Sequence, residues 1–434
     1  MVRCGFCGLS RKDTGLLIEG NGYCEDSNDE KNKIYVCEGC IKICLENFKK
    51  EQDKKSQKPD SSLKQMIAPT PKELVAHLDN YVIGQTSCKR KLAVEVANHF
   101  QRLFDTDENG NSSNPLIRGS GLSDVVIEKS NIVLIGPTGS GKTLMAKSLA
   151  SKLKVPLAIG DATTLTEAGY VGEDVENLLH KLLIAANFDV ELAQRGIIYI
   201  DEIDKLRSTG GNVSITRDVS GQGVQQSLLK LIEGTIANVP PNGGRKHPEQ
   251  QCIQIDTTNI LFIVGGSFVG IEDIVAKRLN KSGGMGFHAM YQGDQKEKYN
   301  ELMSEIIADD LEQFGLIPEL VGRLPVIATL EELDAASMKR ILTEPKNALL
   351  KQEQKKMLRM GIGLTFSDDA IEEIVEQAMK KMTGARALRS VVADFMTDIY
   401  FDIDKEHKGK KIVVDRDVVK KITKVITPQH SEAA

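Results

Sequence analysis

Residues Gly136 to Thr143 read Gly-Pro-Thr-Gly-Ser-Gly-Lys-Thr, which satisfies G-x-x-x-x-G-K-[ST], the spacing of a phosphate-binding loop. Consecutive backbone N–H groups in such a loop turn inward on phosphate oxygens, and the positive end of the following helix adds to the attraction. In that arrangement Lys142 reaches the β- and γ-phosphates as a point charge, and the Thr143 hydroxyl sits on Mg2+. Gly136, Pro137, Thr138, Gly139, Ser140, Gly141, Lys142, Thr143 and Leu144 are therefore the expected nucleotide-binding residues. A second cluster, Asp201-Glu202-Ile203-Asp204-Lys205, ends the apolar run Gly196 to Ile200. At the carboxyl end of a parallel strand, Asp201 would hold Mg2+ through water and Glu202 would polarise the attacking water as a general base. Together the two motifs predict ATP hydrolysis.

A different chemistry is written at the amino end, where Cys4-x2-Cys7 and Cys37-x2-Cys40 form two knuckles. Two short turns of this kind present four thiolates tetrahedrally to Zn2+, and a unit of this size often depends on the metal to fold. Cys24 and Cys44 lie close enough in sequence to stand as alternative ligands. Eight cysteines in 434 residues do not suggest a disulfide scaffold.

These residues need elements to hold them. Asn131 to Ile135 reads as a short buried strand and Leu144 to Leu153 as an amphipathic helix, so the phosphate loop has a strand before it and a helix after it. From 131 to 328, short apolar runs (NIVLI, VPLAIGDA, GIIYIDE, NILFIVGG, PVIATL) alternate with helical patterns, which argues for an α/β fold with a parallel sheet. Beyond Glu331 helices dominate, giving a small, mostly helical lid. Lys49 to Ala68 is polar and too poor in apolar residues to fold alone, so it reads as a flexible tether. The expected division is a zinc-binding domain at 1–50, a linker at 51–70, a large ATPase domain at 71–328 and a lid domain at 329–434.

Composition narrows the partners. A net charge of −5 gives no overall basic field for nucleic acid, and no apolar run approaches the ~18 residues of a membrane span, so a cytoplasmic protein is expected. No H-E-x-x-H occurs, so proteolysis is not this chain's own chemistry.

The order of these features, a four-cysteine unit, the two nucleotide motifs and a helical lid, resembles the ClpX family of AAA+ unfoldases over nearly the whole chain. The resemblance implies a P-loop AAA+ large domain, a helical lid and a treble-clef-like zinc domain. It also implies a homohexamer that recognises tagged or unfolded proteins, threads them through a central pore and delivers them to the ClpP peptidase. Gly169-Tyr170-Val171-Gly172 matches the family's pore loop, with Tyr170 as the grip and Val171 beside it. Ser208 to Gly223 resembles the second pore loop, with Arg217 as its chain-contacting charge, and Arg245, Lys246 and His247 match the loop at the pore entrance. Met285-Gly286-Phe287 stands where the family carries its peptidase-docking tripeptide, which usually begins with Ile or Leu. Met is soft enough to enter the same kind of apolar pocket. Arg323 matches the finger that reaches a neighbour's γ-phosphate, and Arg386 matches the lid arginine that reads its own subunit's nucleotide. Val82 and Ile83 match the adenine-side box. The zinc unit, by resemblance, dimerises and holds substrates or adaptor proteins. The rival reading is an AAA+ nucleic-acid remodeler such as a clamp or helicase loader, but Glu167, Glu173 and Asp174 around Tyr170 are the wrong charges for a phosphate-tracking channel.

Overall fold

The structure is a computed structural model that describes residues 2–10, 16–21, 33–42, 45, 69–105, 122, 125, 127–166, 173–207, 221–241, 252–282, 295–381, 383–403 and 409–421. The chain divides into two compact units, Met1–Ile67 and Ala68–Ala434.

In the first unit, β1 (Leu17–Asn21) and β2 (Lys33–Cys37) pair antiparallel, with Leu17 opposite Cys37 and Asn21 opposite Lys33. The turn carrying the first knuckle is pinned to this ribbon, because Gly5 N–H donates to the Tyr35 carbonyl at 2.8 Å. Gly8 N–H donates back to the Cys4 carbonyl at 2.9 Å with Gly8 at φ +74°, which closes the knuckle.

The second unit is built on a parallel sheet. Its strands, in chain order, are β3 (Ile132–Ile135), β4 (Leu157–Asp161), the short pair β5 (Leu165–Thr166) and β6 (Glu173–Asp174), β7 (Ile197–Asp201), the hairpin β8 (Ile236–Val239) and β9 (Ile253–Asp256), β10 (Leu261–Gly266), and β11 (Val326–Thr329). Five of them form the central sheet in the order β11-β3-β10-β7-β4, every neighbouring pair parallel. The sheet is covered on both faces, which explains the unbroken apolar runs. Ile132 and Leu134 point into a core shared with helices Pro71–Asp79, Thr86–Asp105 and Lys142–Leu153. Val133 and Ile135, one residue out of phase, enter the opposite core with helices Asn177–Ala185 and Gln222–Glu233. The α/β expectation is met.

The lid has its own core around helices Ala335–Thr343, Leu349–Arg359, Asp368–Lys380 and Ala385–Asp402. The starts of two of them were set by ordinary N-caps: the Asp334 and Ser367 side chains accept from Ser337 N–H and Ala370 N–H. One element departs from a purely helical lid. β12 (Gly363–Phe366) and β13 (Lys411–Val414) form a parallel pair that joins the two ends of this region. The helix Leu349–Arg359 starts four residues after Pro345, because Pro345 and the residues after it form a turn in which Ala348 N–H donates to the Pro345 carbonyl at 3.0 Å.

Candidate functional site

The sheet order decides where the chemistry sits. β3, β10 and β7 lie side by side, so the segments leaving their carboxyl ends converge: the loop Gly136 to Gly141, Ser267, and Asp201 with Glu202. Gly136 N–H donates to the Gly266 carbonyl at 3.2 Å, which fixes the loop's start against β10. Gly139 and Gly141 take φ of +83° and +108°, and the helix Lys142–Leu153 begins directly after them. A cleft of about 530 Å³ opens there, lined by Thr138, Gly139, Gly141, Lys142, Thr143, Leu144, Asp201, Glu202, Lys205, Ser267, Ala385, Arg386 and Arg389.

Within the cleft the polar groups are aimed. Thr143 Oγ1 donates to Asp201 Oδ2 at 2.9 Å, so the hydroxyl and the carboxylate expected around Mg2+ are already adjacent. Asp201 Oδ1 accepts from Glu202 N–H at 3.0 Å. Glu202 occupies the left-handed region, φ +57° and ψ +34°, a strained conformation for a residue with a side chain and one found disproportionately at functional sites. Lys142 is only 8% exposed, and its ammonium donates to the Gly136 and Pro137 carbonyls at 2.6 and 3.0 Å. Burial pushes this ammonium below its usual range, and the Asp201 and Asp204 carboxylates oppose that effect. Beneath the pair, the buried Tyr199 hydroxyl lies 3.5 Å from Thr143 Oγ1, and burial holds its phenol above the ordinary value.

Asp204 is buried under the cleft and grips Ser267 twice, accepting from its N–H at 3.1 Å and its hydroxyl at 3.0 Å. This fixes the one hydroxyl that β10 delivers to the site.

The lid side closes the cleft by backbone contact. Gly384 sits at φ +57° and ψ −145°, and a Cβ there would meet the Thr138 carbonyl oxygen at 2.6 Å. A Cβ on Gly139 would in turn meet the Thr383 carbonyl oxygen at 2.7 Å. Two glycines thus let the phosphate loop and the lid turn touch, and Arg386 follows on the helix that starts at Ala385.

The loop and lid residues expected from the sequence meet here, with three qualifications. Gly136, Pro137 and Ser140 belong to the loop but do not line the cleft; the Ser140 hydroxyl is buried with no hydrogen-bond partner among the described residues. Val82 and Ile83 are both buried, and Val82 lies against the loop, its Cγ1 3.7 Å from where a Gly141 Cβ would be. Arg323 is elsewhere, three residues before β11, whose first residue pairs with the first residue of β3. It therefore stands at the end of the sheet opposite the loop, about 13 Å of strand away. The cleft is also lined by Lys205, the last residue of the acidic cluster, and by Ser267 and Arg389, which belong to neither nucleotide motif. Arg389 lies one helical turn beyond Arg386 on the same face, and Ser267 directly follows the carboxyl end of the central strand β10, so both had a positional signal.

Around the hinge between sheet and lid, the Gln85 side chain brackets Glu331, donating to its carbonyl at 2.9 Å and accepting from its N–H at 2.8 Å.

In the first unit Cys4, Cys7, Cys37 and Cys40 present sulfurs that all lie within 4.8 Å of one another. Cys7 and Cys37 are 3.7 Å apart, matching the ~3.8 Å edge of a tetrahedron with Zn–S bonds of ~2.3 Å. Backbone N–H groups, that of Cys7 foremost, lower the Cys4 thiol to about 6, and the hydrogen bond with Cys37 pushes Cys40 up to about 12. Four thiolates cannot share so small a space without a cation, which is what this donor set fits. Cys24 and Cys44 lie outside the described residues, as do Tyr170, Val171, Arg217, Arg245, Lys246, His247, Met285, Gly286 and Phe287.

Among the described residues no helix is long and apolar enough to cross a membrane. A family model described as the AAA domain (Cdc48 subfamily) matches residues 127–327, and one described as the C-terminal, D2-small domain of ClpB protein matches residues 333–403. Two relatives, from Borrelia duttonii (strain Ly) and Borrelia recurrentis (strain A1), are each described as ATP-dependent Clp protease ATP-binding subunit ClpX. Each is 49% identical over 421 residues, 96% of this chain and 90% of the relative.

Proposed function

The chain belongs to the ClpX family, an ATP-binding AAA+ ATPase, and from that premise we propose that it unfolds tagged proteins and feeds them to the ClpP peptidase. The observation that carries this reading is the shared cleft, in which Lys142, Thr143, Asp201 and Glu202 face Arg386 of the lid. A nucleotide gripped from both sides couples its own hydrolysis to rotation of lid against sheet.

Bound Mg2+–ATP supplies the phosphoryl group whose transfer drives the cycle. Lys142 would neutralise phosphate charge, and Thr143 and Asp201, 2.9 Å apart, would hold Mg2+, which would supply further positive charge to the phosphates. Glu202, held off the end of β7 by its left-handed backbone, takes a proton from the attacking water. Arg386 reads the nucleotide from the lid, and Val82 and Ile83 pack on the adenine side. Arg323 cannot serve the cleft of its own chain from the far end of the sheet, so it serves a neighbour's. Repetition of that head-to-tail contact closes a ring, and membership of the ClpX family makes that ring a homohexamer.

The axis of the ring carries Tyr170 and Val171, with Arg217 and the basic trio Arg245, Lys246 and His247 guiding the substrate. Met285, Gly286 and Phe287 dock ClpP. Zn2+ on Cys4, Cys7, Cys37 and Cys40 holds together a domain that recruits substrates and adaptors. The protein works in the cytoplasm, away from membranes and nucleic acid. The domain limits 1–50, 51–70, 71–328 and 329–434 are retained as part of this reading. Glu202→Gln is expected to bind ATP with near-normal affinity and to hydrolyse it at least ~10²-fold more slowly; turnover at the unmutated rate would remove Glu202 from the mechanism.

A further inference from the structure

Arg323 has a partner that no motif singled out. Its Nε lies 3.0 Å from Oε1 of Glu233, the last residue of the helix Gln222–Glu233, with the two side chains 51% and 41% exposed. A carboxylate at a helix C-terminus faces the negative end of the macrodipole, so the helix gains nothing from an acid at this position. Among the described residues Glu233 is the one carboxylate paired with Arg323.

The base of Arg323 is held independently. Asn131, 2% exposed, donates from Nδ2 to the Arg323 carbonyl at 3.1 Å and accepts Phe262 N–H on Oδ1 at 3.2 Å. One buried amide, on the residue just before β3, therefore ties the arginine's backbone to the beginning of β10. The side chain, aimed outward from that fixed base, is directed by Glu233. A guanidinium has five N–H donors in a rigid planar fork. Glu233 occupies the Nε edge, which leaves the terminal Nη groups to meet three phosphate oxygens.

We propose that Glu233 is the positioning residue of the arginine finger, holding Arg323 by Nε so that its Nη groups face the γ-phosphate bound by the neighbouring subunit. This rests on the reading of Arg323 as that finger. Glu233 makes no contact with nucleotide itself; it narrows the orientations that Arg323 samples before the neighbour's phosphate arrives, which raises the rate of transfer without changing how tightly ATP is held.

The test uses the full chain and steady-state ATPase across ATP concentrations. Glu233→Ala is expected to lower kcat by about three- to fivefold, the most that a half-exposed ion pair contributes, with KM unchanged. Glu233→Gln, whose amide oxygen still accepts from Nε, is expected to return kcat to within about twofold of the parent. Arg323→Ala is expected to lose ~10³-fold or more. The readout that a structural role would not move is a mixture: Glu233→Ala subunits diluted into an excess of Glu202→Gln subunits meet intact fingers. Turnover per Glu233→Ala subunit should then rise to that of the unmutated protein diluted in the same way. Normal kcat in Glu233→Ala with Arg323→Ala inactive overturns the proposal and leaves the finger reading standing. A slowed Glu233→Ala that neither Gln nor mixing restores also overturns it, assigning Glu233 to folding. Full turnover in Arg323→Ala overturns the finger reading, and the proposal with it.

Discussion

Replacing Gly384 by alanine tests whether the lid must touch the phosphate loop for ATP to be turned over. At φ +57° and ψ −145° an L-residue costs on the order of 1–3 kcal/mol. The added Cβ would also stand 2.6 Å from the Thr138 carbonyl oxygen, a contact with backbone that cannot swing away. The chain can escape both penalties by moving the turn off the loop, which carries Arg386 out of the cleft. If about 2 kcal/mol of the strain falls on the closed arrangement, its weight relative to the open one drops about thirtyfold, and kcat/KM for ATP falls by up to that factor. Gly409→Ala is the control: Gly409 has φ +81° but open space around its Cβ position, so it adds strain with no contact to the loop. The assay is ATPase kinetics on both variants beside thermal melting followed by circular dichroism. Gly384→Ala should lose activity well beyond Gly409→Ala at comparable melting temperature. Equal kcat/KM in Gly384→Ala and the parent would refute the coupling of lid contact to turnover.

Two further outcomes follow from other parts of the molecule. His99 is buried, and burial together with the charges of Arg102 and Lys129 lowers it from 6.5 to about 3. Its folded pKa is depressed, so the unfolded chain binds more protons between those values and stability is lost as pH falls below about 6.5. By pH ~5 the loss from this residue is about 2 kcal/mol. Urea melts of His99→Leu should show a pH dependence shallower by that amount, and identical slopes would contradict it. In the first unit, Cys37→Ser removes the sulfur that lies 3.7 Å from Cys7 Sγ and accepts from Cys40 N–H. Zinc measured by mass spectrometry should fall from about one ion per chain to a small fraction of that, and undiminished zinc would exclude the cluster as the metal site.

Much of the frame could be read from residue types alone because its signals are local. A five-residue apolar run that ends in Asp201 and Glu202, or in the glycine loop, is a buried parallel strand followed by a site, whatever its neighbours are. The order of the strands is another matter: that β10 lies between β3 and β7 depends on side-chain packing across the whole sheet, and Ser267 enters the site only through that order. The left-handed backbone of Glu202 had no local signal either, since the residue carries no hint of positive φ; it follows from the pull of Asp201 Oδ1 on its N–H and the turn into Ile203–Leu206. Gly384 reads as an ordinary cap until the Thr138 carbonyl is placed against it. The β12 and β13 pair was invisible because each strand has only four residues and its partner lies far along the chain. Arg323 was singled out by motif, but its distance from the cleft of its own chain and its pairing with Glu233 are facts of the fold.

The most direct measurement is the loss of fluorescence from a folded, tagged fluorescent protein incubated with this chain, ClpP and ATP, with Glu202→Gln and Tyr170→Ala run alongside. The account predicts fluorescence loss that requires ATP and ClpP, is absent with Glu202→Gln, and is strongly slowed by Tyr170→Ala while that variant still hydrolyses ATP. Vigorous ATP hydrolysis that leaves the fluorescent protein untouched, with DNA stimulating the turnover, would contradict it.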